Sequence, residues 1–222
     1  MVADPTQGFL RNGRSWHQVL GSEVRGRSQR LVRPYRNTRQ ILDFARRFYQ
    51  RRLPSEEGEV NLPTKEVLGE MSSGEEPKIV QMATSQDERA RVANELSAAL
   101  AKGLSPGGIL VIHADARQIE GLVRHLEERH PGMVVDAREA PDRDRIRVCS
   151  LNACTGIEAP VVIFLGIDSL LESENALDLD DSERTERIRG NTKKIFVAFT
   201  RATQRLLVFY RSRAAAVALK AP

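Results

Sequence analysis

Apolar residues recur along the chain in two alternating rhythms. Short apolar or alternating runs predict strands at Lys78 to Ala83, Ile109 to His113, Met133 to Val135, Arg145 to Ser150, Val161 to Leu165 and Arg205 to Tyr210. The runs at Ile109 and Val161 are continuously apolar, the pattern of strands covered on both faces. Between the strands the spacing becomes helical. Ile41, Leu42, Ala45, Phe48, Tyr49 and Leu53 form one stripe, Val92, Ala93, Leu96, Ala99 and Leu100 a second, and Ile119, Leu122, Val123 and Leu126 a third. A further apolar helical run from Lys194 enters Thr200-Arg201-Ala202 and emerges as the last strand. Strands alternating with helices predict an α/β domain, a parallel β-sheet with helices on both faces. Asn37 or Thr38 is the expected cap of the first helix, Ser85-x-x-Glu88 reads as a capping box, and Asp115 as a cap. Residues 53–77 have loop or linker composition. The acidic stretch from Ser169 to Glu183 reads as surface loop with some helix, and the alanine-rich stretch after Tyr210 as a terminal helix.

Composition narrows the class. The chain has 222 residues, 41% hydrophobic and 29% charged, an ordinary globular composition long enough for one domain of somewhat above average size. No apolar run approaches the length of a membrane span and the N-terminus has no secretory pattern, so a cytoplasmic protein with no membrane partner is expected. Cys149 and Cys154 lack zinc or redox-motif spacing and read as reduced thiols. The net charge of +4 is unevenly placed. Between Arg25 and Arg52 lie ten arginines and one acidic residue, Asp43, an imbalance that points to a phosphate-bearing partner.

Two local patterns carry no chemistry. Gly21 to Ser28, GSEVRGRS, nearly spells a phosphate loop, but neither the preceding strand nor the following helix is present, and the match is a chance one. His125 and His130 are five residues apart, which on a helix directs them to different sides, so both read as surface residues rather than metal ligands. Arg201 keeps two readings. It caps the last turn of a helix, or it presents a guanidinium to a transferring phosphoryl group.

Four stretches in order resemble the C-terminal half of the UvrD/Rep-like superfamily 1 DNA helicases. Val2 to Gln7 is similar to the motif G-D-x-x-Q, with Ala3 in the glycine place and Asp4 and Gln7 kept. Pro34-Tyr35-Arg36-Asn37-Thr38 is similar to N-Y-R-S/T. Ser150 to Pro160 is similar to T-x-H-x-x-K-G-L-E-x-P, keeping Gly156, Glu158 and Pro160 but placing Asn152 for His and Thr155 for Lys. Finally, Phe196 to Ala202 resembles Y-V-A-x-T-R-A. The resemblance spans residues 2 to about 210.

The resemblance implies a RecA-like sheet, the second lobe of a P-loop NTPase-like motor without a phosphate loop of its own. Residues 1–28 would be the tail of a first RecA-like lobe and residues 29–222 the second lobe. It also implies ATP with Mg²⁺, bound mainly by an N-terminal lobe outside this sequence, and single-stranded DNA as partner. In the site, Arg201 and Arg36 would clamp the γ-phosphate and Gln7 would sense it. Tyr35 would stack on adenine, with Glu158 and Gly156 at the sugar. Ser150, Asn152 and Trp16 would lie toward the nucleic acid, Trp16 also being readable as a core residue. The activity implied is ATP-dependent, 3′-to-5′ DNA unwinding or translocation, with the isolated chain inactive. The alternative is a nucleic-acid-binding or protein-interaction module derived from such a lobe, without motor activity.

Overall fold

Side-chain alternation along the strands decides the architecture. On β2 (Ile109–His113), Leu110 and Ile112 enter one core while Ile109 and Val111 enter another. The same split holds on β5 (Ala159–Leu165), where Val162 and Phe164 face one side and Val161, Ile163 and Leu165 the other. A strand with apolar residues on both faces must be covered twice. The computed structural model describes residues 36–54, 62–138 and 144–219 and shows that arrangement.

Six parallel strands form one sheet in the order β1-β6-β5-β2-β4-β3, with β1 Lys78–Gln81, β3 Val134–Asp136, β4 Ile146–Ser150 and β6 Ala202–Tyr210. One face carries α1 (Arg39–Arg52), α5 (Ile167–Ser173), α6 (Asp181–Phe199) and α7 (Arg213–Leu219). The other carries α3 (Ser85–Ala101) and α4 (Ile119–Arg129). Phe199 is the centre of the first core. Its ring lies 5.2 Å from that of Phe44, 5.3 Å from Phe48 and 5.8 Å from Phe164, tying α1 and β5 to the end of α6. Tilted and edge-on pairs of this kind add to the gain from burial.

All six predicted strands are present, and four expectations change in detail. The stretch at 53–77 contains a short helix, α2 (Lys65–Gly69), held because Leu68 is buried and Thr64 caps it. The cap of α3 sits one residue earlier than expected, and it is a simple side-chain cap in place of the expected box. Thr84 is the cap and accepts from the Asp87 amide at 3.1 Å, which leaves Glu88 buried against the sheet. His130 is not on the surface: it is buried against α3 with Nε2 3.2 Å from the Ala93 carbonyl oxygen. In the acidic stretch, Asp180 and Glu183 form a reciprocal capping box that starts α6.

The chain leaves β2 toward β3 and leaves β5 toward β6, so the two central strands send their connections opposite ways. A crevice therefore opens at their carboxyl ends. Gly166 lines it in a left-handed conformation, φ 76°, and a Cβ there would lie 2.7 Å from His113 Cε1. Burial of the His113 ring pushes its pKa down from 6.5 to about 4.

Two stability measurements follow. Phe199→Ala is expected to cost about 3–5 kcal/mol in urea unfolding, against a change within about 0.5 kcal/mol for exposed Val217→Ala. Between pH 4 and 6.5 the unfolded chain binds a proton at His113 that the native chain refuses, so this group's contribution disappears as pH falls through that window. The wild-type stability curve minus that of His113→Asn is expected to drop by about 1–3 kcal/mol from pH 7 to pH 4; a flat difference would show that the ring titrates normally.

Candidate functional site

Two segments distant in sequence meet at the amino ends of β5 and β6. Arg36, just before α1, places its Nη1 2.8 Å from Glu158 Oε1, just before β5. Neither side chain is buried, with Arg36 73% and Glu158 29% exposed, so the pair stands at the surface. Glu158 is held from behind, because Arg147 Nη2 on β4 donates to its backbone oxygen at 3.0 Å and to that of Gly107 at 3.2 Å.

Arg201 lies beside this pair. Its carbonyl oxygen accepts from the Ala159 amide at 3.1 Å, which fixes the residue next to Glu158. The residue is only 5% exposed, and its Nε donates to the Val197 carbonyl oxygen in the last turn of α6 at 3.1 Å. Helix-end capping is thus present. Yet among the described residues Arg201 has no carboxylate partner. A buried cation without a counter-charge is costly unless something else neutralises it.

The residue that joins the two segments is Asn37, which the sequence offered only as a helix cap. Thr38 takes the cap position of α1, and the Asn37 side chain turns away across the sheet edge. Its Nδ2 donates to the Thr200 oxygen at 2.8 Å and to the Ala202 oxygen at 2.6 Å. One amide group therefore grips the carbonyls on either side of Arg201. No local pattern announces such a contact; the only hint is an asparagine following an arginine that already carries an expectation.

The loop of residues 151–158 runs from the carboxyl end of β4 to the amino end of β5. Gly156 turns it at φ 82°, a conformation favouring glycine. Ser150 is buried and its carbonyl accepts from the amides of Ala153 and Cys154 at 3.0 and 3.1 Å, whereas Asn152 is exposed. Both lie at the end of the sheet opposite Arg36 and Arg201. Cys149 and Cys154 are buried free thiols; burial pushes both pKa values up, that of Cys154 to about 11, which makes them unreactive. Among the described residues no cluster of His, Cys, Asp and Glu is arranged to hold a metal ion, and no helix is long and apolar enough to cross a membrane. Gln7, Trp16 and Tyr35, together with the whole of 1–28, lie outside the described residues.

No family model and no curated protein matches the chain. Among solved structures it is similar to the C-terminal domain of a possible DNA helicase from Lactobacillus plantarum WCFS1. The two share 17% sequence identity with a TM-score of 0.55, over 83% of this chain and 96% of that one. The likeness shows the fold: a RecA-like α/β sheet.

Loss of the Asn37 amide strips buried carbonyls of their donor. Asn37→Ala is expected to lower the unfolding free energy by about 1–3 kcal/mol, and Asn37→Asp by at least as much because a carboxylate cannot donate to them. Urea titrations showing either variant as stable as wild type would refute the bridge.

Proposed function

We propose that the chain is the second motor lobe of an ATP-dependent DNA helicase or translocase, supplying one wall of a nucleotide site whose other wall is an N-terminal lobe. The observation that carries this reading is Arg201, a buried arginine, 5% exposed, without a carboxylate partner among the described residues, beside the Arg36–Glu158 pair. A triphosphate is the counter-charge such an edge fits, since planar guanidiniums grip phosphate oxygens bidentately.

In this reading Arg36 and Arg201 clamp the γ-phosphate and neutralise the charge that develops as it leaves. Glu158, at the turn made by Gly156, exchanges Arg36 for the sugar hydroxyls when nucleotide enters. Tyr35, adjacent to Arg36, supplies a flat face for adenine, and Gln7 reports the γ-phosphate to the strand-binding side. The N-terminal lobe brings the phosphate loop and the acidic residues that hold Mg²⁺. Ser150 and Asn152, at the opposite end of the sheet, and Trp16 face single-stranded DNA, along which opening and closing of the lobes moves the protein in the 3′-to-5′ direction. Resemblance in the four motifs and the likeness in fold to a possible helicase domain both favour this over other RecA-like roles.

Two substitutions favour a second reading. Asn152 and Thr155 are neutral where the helicase motif carries His and Lys, as in a lobe that binds nucleic acid or protein without driving movement. Hydrolysis separates the two. The chain alone is expected to release no phosphate from ATP with single-stranded DNA present. Joined to a first lobe bearing a phosphate loop, it is expected to show DNA-stimulated turnover that Arg201→Ala lowers about 10³-fold or more. Unchanged turnover in that variant, or hydrolysis by the lone chain, would sink the motor reading.

A further inference from the structure

The crevice at the carboxyl ends of β2 and β5 holds a second group of polar side chains, at the opposite end of the sheet from Arg201. It encloses about 130 Å³ and is lined by Glu88 and Arg89 from α3, His113 from β2, Gly166 after β5 and Arg211 after β6. Glu88 is 5% exposed and its Oε1 has no hydrogen-bond partner among the described residues. The helix cap does not need it, because Thr84 and Asp87 make that contact. Leaving a buried polar atom unpaired is costly, and a ligand donor would recover that cost.

The surrounding charges restrict what fits. Arg211 Nε is 3.7 Å from Glu88 Oε2 and 3.8 Å from Asp168 Oδ2, too far for hydrogen bonds, and its Nη1 goes to the Ser85 hydroxyl. Asp168 is itself satisfied by the amides of Arg211 and Ser212. Arg89 Nη2 donates at 2.8 Å to Gln118, a neutral group. Neither guanidinium is therefore locked to a carboxylate. A phosphate would face the carboxylates of Glu88 and Asp115, and a metal ion would face Arg89 and Arg211, so neither charge sign is welcome. A neutral ligand that offers a donor to Glu88 and acceptors to the arginines matches both. Volume then decides size, since an engineered cavity of about 150 Å³ in another protein accepts one benzene ring. A single-ring base matches that volume.

We propose that this crevice binds an amino-pyrimidine, cytosine in preference to thymine or uracil, with Glu88 accepting from the exocyclic amino group and Arg89 and Arg211 facing the ring acceptors. Thymine and uracil present a carbonyl where cytosine presents the amino group, and a carbonyl against Glu88 is repulsive. Carboxylate recognition of the cytosine amino group follows the ordinary donor–acceptor code. The base arrives either on a single strand or as a free nucleoside. Only the first source rests on the strand-binding part of the reading above, and neither depends on hydrolysis.

The test titrates the full chain with cytidine and uridine by NMR, and with labelled oligo(dC) and oligo(dT) by anisotropy at one salt concentration. Cytosine is expected to bind at least about fivefold tighter than its competitor in one of the two series. Preference in the oligonucleotides alone identifies the strand as source, and preference in the nucleosides identifies the free base. Glu88→Met, which keeps the side-chain length and removes the acceptor, is expected to abolish the preference. Half-buried Arg89→Met is expected to weaken cytosine binding severalfold while leaving circular dichroism unchanged, so the site remains testable even if the first variant fails to fold. Equal binding of the two bases in both series, or a preference untouched by either variant, overturns the proposal. A cytosine preference in a protein that supports no hydrolysis with any first lobe keeps this site and removes the motor.

Discussion

Three consecutive carbonyl groups at the end of α6 are held by two parts of the chain that are distant from them in sequence. The oxygens of Thr200 and Ala202 accept from the Asn37 amide, and that of Arg201 accepts from the Ala159 amide. Backbone polar groups must be satisfied wherever water is excluded, and here the partners come from residues far away in sequence. The result is that a helix end, a strand start and the loop before α1 share one rigid frame. Arg36, Glu158 and Arg201 are aimed by that frame rather than by their own side-chain preferences.

Phe199 supports the frame from below. Its ring contacts Phe44, Phe48 and Phe164, so the turn of helix immediately before Arg201 is packed on three aromatic neighbours. The sheet then separates two kinds of chemistry by its length. Its amino edge presents Arg36 and Arg201 with one carboxylate, Glu158. Its carboxyl edge presents Glu88, Arg89, His113 and Arg211 around a crevice created by strand order. In a parallel sheet every strand contributes the same end to the same side, so a cluster at either edge is assembled from several elements at once.

Where the pattern was strong, the elements were legible. The continuous apolar runs at Ile109 and Val161 are central strands, and the stripes at Ile41 and Val92 are helices that pack on opposite faces. Departures occur at residues whose short-range and long-range options compete. Glu88 fits a capping box by spacing, but Thr84 wins the cap and the glutamate goes inward. Asn37 fits a cap equally well and instead reaches the junction of α6 and β6. His130, polar and at a helix end, is buried because α3 offers it the Ala93 carbonyl. In the stretch at 53–77 the burial of Leu68 and the Thr64 cap together fix a short helix.

The sequence by itself determined the alternation of six strands with helices, because side-chain periodicity is a property of neighbouring residues and needs no knowledge of the whole. It also marked Arg36, Glu158 and Arg201 as residues of interest. Only the tertiary structure decided that these three share one edge, that Asn37 joins them, and that Glu88 faces a crevice with an unpaired oxygen. Strand order and the pairing of distant backbone groups set those contacts, and neither leaves a trace in local spacing.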